Sequence, residues 1–189
     1  MMGCDIHLRL EKRLKKEKVW NKYYTEKTEW QNCGIINAGK TWGDRIYGMF
    51  AVLADVRNYW ELEHLPVRGI PKDACNSTLS CYGKEVKDTI NDAWEDEHCY
   101  LASKAEKWVA QGLSHYYELN GRKYCSDPDW HSASWCTTQE MEHCINTIFK
   151  DDAGNWKGEP YEWLALLGAM KGYEATGKYE CRAVFWFDN

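Results

Sequence analysis

The stretch CDIHLRLEKR near the start of the chain sorts its side chains by parity. Cys4, Ile6, Leu8 and Leu10 fall on one side, and Asp5, His7, Arg9, Glu11 and Arg13 fall on the other. This is the two-residue period of a half-buried strand, which turns the charged set away from the core. A row of that kind is either solvated surface or a site. His7 supplies the chemistry that would make it a site, because imidazole exchanges its proton near neutral pH and Asp5, two residues away on the same face, could hydrogen-bond to it. Cys4 is a poor nucleophile for His7 to activate, since it belongs to the apolar set on the opposite face. Zinc could be held by Cys4 and His7 with His143 and Cys144, but that arrangement lacks the paired spacing of structural zinc sites, and no H-x-H or H-x-x-x-H pair occurs. The spacing therefore names no metal, and no cofactor is expected.

The chain that must position these groups has 189 residues, 44% of them hydrophobic, which suffices for one sizeable core; a single domain over 1–189 is expected. A formal charge of −5, from 24 basic and 29 acidic residues, gives no electrostatic basis for bulk binding to nucleic acid or to an anionic membrane. An anionic ligand would need a local basic pocket. The chain lacks any run of about twenty apolar residues, and its first residues are charged too early for a secretory signal, so a cytoplasmic protein with no membrane partner is expected. The nine cysteines are odd in number and contain no C-x-x-C pair, which points to reduced thiols, most of them buried. Eleven tryptophans and twelve tyrosines stand against four phenylalanines; such rings suit stacking surfaces and pocket walls as well as cores.

Periodicity predicts the elements. After the first strand, EKRLKKEK reads as a charged tip and KVWNKYYTEKTEW, with Trp20, Tyr23 and Tyr24, as a returning strand. Asp44 to Trp60 reads as a helix burying Ile46, Met49, Phe50, Leu53, Val56 and Trp60. ELEHLPVRGIPKD and CNSTLSCYG read as loops. GKEVKDTINDAWEDEHCYLASKAEKWVAQGL reads as largely helical, in one helix or two, with Val86, Ile90, Trp94, Leu101, Trp108 and Val109 available for burial. Asn120-Gly121 marks a hairpin, and SDPDWHSASWC reads as a loop. Thr137 to Glu140 is a capping box opening a helix whose apolar face is Met141, Cys144, Ile145, Ile148 and Phe149. Pro160 suits the first turn of a helix ending near Gly172. In the last stretch, Cys181, Ala183, Phe185 and Phe187 alternate with Arg182, Val184, Trp186 and Asp188, so both faces become apolar and the strand belongs in the middle of a sheet. The expected fold is α+β, with a mainly antiparallel sheet that contains both terminal strands and carries helices packed on it.

Five separated pieces, MGCDIH, RIYGMFAVLADVRN, PVRGIP, HSASW and FWFDN, resemble in this order an uncharacterised protein family found mostly in tailed bacteriophages and prophages, which begins MGCDIH and ends in a variant of VFWFDN. The chain departs from that pattern at Ile46, where an Asn usually follows the Arg, in an extra Met at the start, and in a long insertion between PVRGIP and HSASW. The resemblance implies no activity, but it marks the polar residues inside the matching pieces: Asp5, His7, Arg45, Arg57, Asn58, Arg68, His131, Ser132, Ser134, Trp135 and Asp188. Arginines and hydroxyls in this set suit phosphate better than metal, because guanidinium groups fork onto phosphate oxygens, hydroxyls donate to them, and Trp135 or Trp130 could stack on a base. The expectation is a small nucleotide-like anion held by Arg45, Arg57 and Arg68, with Asp5 orienting His7 and with His131, Ser132 and Trp135 closing the pocket. If the protein is an enzyme, His7 and His131 would serve as base and acid of a phosphodiesterase. Each residue also has a structural alternative: Arg57 capping its helix, Ser132 and Ser134 shaping a turn, Asp5 and His7 bonding one another.

Phage proteins that sequester or degrade the nucleotide signals of bacterial immunity supply the analogy for a role in the host cytoplasm. Two other classes stay open. One is a metal-dependent hydrolase using Asp5, His7, His131 and Asp188. The other is an interaction protein that blocks a host enzyme through exposed tryptophans. A homo-oligomer is compatible with all three.

Overall fold

The computed structural model describes residues 3–35, 46–158 and 160–188. In chain order the elements are β1 (Asp5–Leu14), β2 (Lys18–Asn21), β3 (Tyr24–Glu26), β4 (Gln31–Ile35), α1 (Tyr47–Ala54), α2 (Asn76–Tyr82), β5 (Gly83–Lys87), α3 (Ala93–His98), β6 (Cys99–Leu101), α4 (Ala102–Ala110), β7 (Tyr116–Leu119), β8 (Arg122–Ser126), β9 (His131–Thr137), α5 (Thr138–Phe149), α6 (Tyr161–Ala175) and β10 (Tyr179–Asp188). The chain read above as one domain divides into two compact units, Met1–Asp73 with Ser132–Asn189, and Ala74–His131.

The first unit is built on a sheet of order β4-β1-β10-β9. β1 and β10 pair antiparallel without interruption from Asp5↔Asp188 to Leu14↔Tyr179, so the two terminal strands lie side by side. β10 is buried at every position from Cys181 to Phe187, as befits a strand with neighbours on both edges and cover on both faces. On one face Cys4, Ile6, Leu8 and Leu10 join Phe185 and Phe187 against Met49, Phe50 and Leu53 of α1, Met141 and Ile145 of α5, and Trp163 and Leu166 of α6. Each such side chain contributes about 1.5–3 kcal/mol on burial, which makes this layer the main source of the unit's stability. α5 opens with the expected capping box: Thr137 accepts from the Glu140 amide and the Glu140 carboxylate accepts from the Thr137 amide.

Helix α1 is shorter than its periodicity predicts. It ends where Asp55 turns left-handed, at φ 60°. The Asn58 side chain then bonds the Asp55 carboxylate and both backbone groups of Leu62, giving the chain a competing local structure. Tyr59 and Trp60 are consequently exposed, against the expected burial of Trp60. HSASWC, expected as a loop, is strand β9, because the free edge of β10 offers its backbone a ladder of hydrogen bonds. α6 runs past Gly172 to Ala175. The return from β1 is made by β4, while β2 and β3 form a small hairpin of their own.

The second unit has a sheet of order β6-β5-β8-β7, parallel between β5 and β6 and antiparallel elsewhere. Asn120 and Gly121 take φ 53° and 73°, as a type I′ hairpin turn requires. The stretch expected to be largely helical is instead β5, α3, β6 and α4, and CNSTLSCYG is helix α2. Pairing of Glu85 on both edges, and of Val86 with Tyr100, overrides their helical spacing. As a result Trp94 and Leu101, expected in a core, are exposed. No helix among the described residues is long and apolar enough to cross a membrane.

Candidate functional site

Residues directly opposite each other on antiparallel strands share a face. On the side of β1 and β10 away from the helices, the register therefore sets Asp5 beside Asp188, His7 beside Trp186, Arg9 beside Val184, Glu11 beside Arg182 and Arg13 beside Glu180. This face is not solvated surface: Glu11, Arg182, Val184 and Trp186 are buried, and Asp5, His7, Arg9 and Arg13 are partly so.

Its two ends differ. At one end the Arg182 guanidinium donates to Glu11 at 2.8 Å and to the Asp73 carboxylate at 2.7 Å, with a further bond to the Asp73 carbonyl at 3.1 Å. It lies 3.9 Å from the centre of the Trp30 ring, against which Arg13 also rests at 4.6 Å. The Trp30 indole N–H donates to Asp73 at 2.9 Å, and Arg13 pairs with Glu180. Burial raises the proton affinity of Asp73, but the hydrogen bond and charge of Arg182 outweigh it and hold the carboxyl below its ordinary range. Every cation here has its anion.

At the other end His7 Nε2 meets Asp188 Oδ2 at 2.9 Å, and the Asp5 backbone N–H donates to Asp188 Oδ1 at 2.9 Å. The imidazole lies parallel to the Trp186 indole, 5.8 Å between centres and 8° between planes. The side chains of His7 and Asp188 are 23% and 29% exposed, so the pair is accessible yet held. Arg9 completes this end. Its guanidinium carbon is 5.8 Å from the Trp186 ring, its Nη1 donates to the Leu8 carbonyl at 3.2 Å, and its Nε is buried with no hydrogen-bond partner. Among the described residues Arg9 meets no carboxylate at ion-pair distance, whereas Arg13, Arg68, Arg122 and Arg182 each meet one. Arg57 stands at the same end of the strands, beside Cys4. Burial pushes the Cys4 thiol up and the Arg57 charge opposes this, while Asp188 and Asp5 also act on it.

The expected residues thus fall into separate groups. The carboxylate that meets the His7 ring is that of Asp188. Arg68 forks onto Glu140, donates to the Trp135 carbonyl at 2.9 Å and lies 4.7 Å over the Trp135 ring. Arg68 in turn holds the Glu140 carboxyl down to about 2, aided by Thr137. The Ser134 hydroxyl, fully buried, accepts from the Arg68 amide at 3.1 Å and donates to the Pro66 carbonyl at 3.2 Å. Arg68, Ser134 and Trp135 therefore fasten the PVRGIP loop to β9 and the cap of α5. Asn58 closes the turn after α1. Arg57 donates to the Tyr59 hydroxyl at 3.1 Å. Ser132 takes φ 49°, and His131, whose Nε2 is buried, is the last residue of the second unit. Trp130 lies 5.6 Å from Tyr82 within that unit. Arg45 lies outside the described residues.

Arg9 is the residue that sequence reasoning left out. Its signal was its place two residues from His7 on the same face, but having no carboxylate beside it among the described residues is not a local property. Among the described residues no three His, Cys, Asp or Glu side chains gather where they could hold a metal ion. All nine cysteines are free thiols, most of them buried. A cavity lined by Glu63, His64 and His143, of about 60 Å³, has room for roughly two waters. No protein-family model matches the chain, and neither a curated protein nor a solved structure matches it.

Proposed function

We propose that this is a protein of phage or prophage type that binds a small nucleotide-like anion at the His7, Arg9 and Asp188 end of the β1/β10 face. The observation that carries the reading is Arg9: a partly buried guanidinium with a buried Nε that donates to nothing and, among the described residues, no carboxylate beside it. A cation withdrawn from water without a counter-charge is costly, and a planar guanidinium fork matches phosphate oxygens. A bound phosphate would offset that cost. His7, steadied by Asp188 and Trp186, adds a second hydrogen-bonding group beside it. The resemblance of the separated sequence pieces supports the phage assignment, and the ligand class that follows by analogy is a nucleotide signal of bacterial immunity. The reading is capture of that ligand. Cleavage would use His7 as the base, with Asp188 fixing its orientation.

The test is to mix the protein with cyclic dinucleotides and ADP-ribose derivatives, filter off the protein, heat the retained fraction and analyse both fractions by chromatography. A compound missing from the filtrate and released unchanged by heat means capture, and its loss in Arg9→Ala places it at this end of the face. A new product that disappears in His7→Ala means cleavage. Every compound passing through untouched removes the nucleotide reading. A second reading, an interaction protein, draws on Trp60 and Trp94, which are 61% and 62% exposed. Recovery of one host enzyme by the wild type but not by a Trp60→Ala, Trp94→Ala variant would favour it.

A further inference from the structure

We propose that the open edge of β7 is an interface between two copies of this chain, which pair antiparallel about a two-fold axis at Tyr117. In the sheet of the second unit β7 stands at one end, bonded to β8 alone, in an unbroken register from Tyr116↔Cys125 to Leu119↔Arg122. The two-residue turn at Asn120-Gly121 makes Leu119 and Arg122 a hydrogen-bonded pair, and the ladder alternates from there. Tyr117 and Leu119 therefore turn their backbone groups toward β8, as His115 does in accepting from the Ser126 amide at 3.1 Å. Those of Tyr116 and Glu118 point outward. Proteins ordinarily guard such an edge with a proline, a bulge or a covering segment. The edge strand β9 has a cover of this kind, since the Gly69 amide donates to the Ala133 carbonyl at 2.9 Å. β7 contains neither proline nor bulge, and an open groove of about 360 Å³, lined by Tyr116, Tyr117, Glu118, Gly121, Arg122 and Lys123, lies at its edge.

The charge pattern selects a second copy as the occupant. On one face of the hairpin Glu118 stands opposite Lys123, and Tyr116 opposite Cys125. Lys123 does not take up that carboxylate. Its Nζ lies 3.6 Å from the centre of the Tyr116 ring, and among the described residues neither Glu118 nor Lys123 has an ion-pair partner. Antiparallel pairing with Tyr117 on the axis sets Tyr116 against the partner's Glu118, and Glu118 against the partner's Tyr116. The outward backbone groups of both residues are then satisfied across the axis. Each Glu118 carboxylate also arrives at the ring on which the partner's Lys123 rests, so two symmetry-related ion pairs flank the axis. An axis at Glu118 would set two carboxylates face to face, which is unfavourable. An axis at Tyr116 would carry Glu118 past that ring to the partner's Ser114. Charge and backbone thus specify the same register.

A pairing of so few residues is small for a permanent interface, so the dimer is a weak one, with a Kd on the order of 10–100 µM. Sedimentation velocity of the full chain across that range should show a monomer passing into a dimer. Glu118→Lys and Lys123→Glu, each alone, set like charges across the axis and should weaken association about tenfold or more, with an unchanged circular dichroism spectrum. Mixed one to one, the two variants should associate again, because the reversed charge of each faces the opposite charge of the other. That recovery is specific to contact between chains, since within each variant the hairpin still holds two like charges. Glu118→Pro, which removes an outward N–H and leaves the β8 ladder whole, should abolish the dimer. A chain that stays monomeric across the range, a dimer indifferent to these substitutions, or charge variants that fail to associate on mixing would each overturn the proposal.

Discussion

The two ends of the β1/β10 face are made of the same two strands, in one unbroken register, with the same kinds of residue. At the Glu11 end, Asp73 and Trp30 come in from other segments and every cation is matched: Arg182 by Glu11 and Asp73, Arg13 by Glu180. At the His7 end, Asp188 matches His7 and nothing described matches Arg9. A charged strand face is thus neither structure nor site by composition. It becomes structure where a distant segment delivers the complementary charge, and it stays available for a ligand where none does.

The sharpest test of this contrast is Glu11→Ala. It leaves the Arg182 guanidinium buried with half its counter-charge gone, and breaking a buried pair from one side costs about 3–5 kcal/mol. Urea denaturation should show that loss, and a cost comparable to that of an exposed pair would erase the distinction between the ends. Acid probes a third place where an arginine is matched, Arg68 with Glu140. The carboxyl there titrates at about 2, below its ordinary 4.5, so its stabilisation is fully present above the ordinary value and is lost as pH falls through about 2. Solvent screens this partly exposed pair, so pair and cap together amount to about 1–2 kcal/mol. Stability measured against pH should decline over that interval in the wild type and less steeply in Glu140→Gln. Trp30→Ala should cost about 1–2 kcal/mol by removing the ring against which two guanidiniums rest. Arg9→Ala should leave stability unchanged or raise it, since it removes a partly buried cation with no described carboxylate beside it, while removing ligand binding. A large stability loss from Arg9→Ala would mean that the two ends are alike after all.

Much of this arrangement could be read from the residues. The parity of CDIHLRLEKR and of CRAVFWFD fixed which side chains share a face, and Thr137 to Glu140 and Asn120-Gly121 announced a helix start and a turn, because those signals are local. What could not be read is pairing across distance. His7 and Asp188 are 181 residues apart and Arg68 and Glu140 are 72 apart, so the nearer Asp5 was the natural partner to expect for His7, and Arg68 looked available for a ligand. The second unit misled for a related reason. Short segments such as GKEVK carry no period long enough to separate strand from helix, and only the two neighbouring strands decide between them.

The pairing of β1 with β10 also sets the order in which the molecule can be completed. The β1 strand is made long before β10, with its core-facing side chains uncovered, and must wait for β10 before its central ladder closes. Contacts of that sequence separation are slow to form, because the intervening chain loses loop entropy before the contacts reward it. The His7–Asp188 pair, 181 residues apart in sequence, depends on that closure. A chain cut short before β10 would hold His7 without its carboxylate, so ligand binding at this end would report that β10 had been made and had paired with β1.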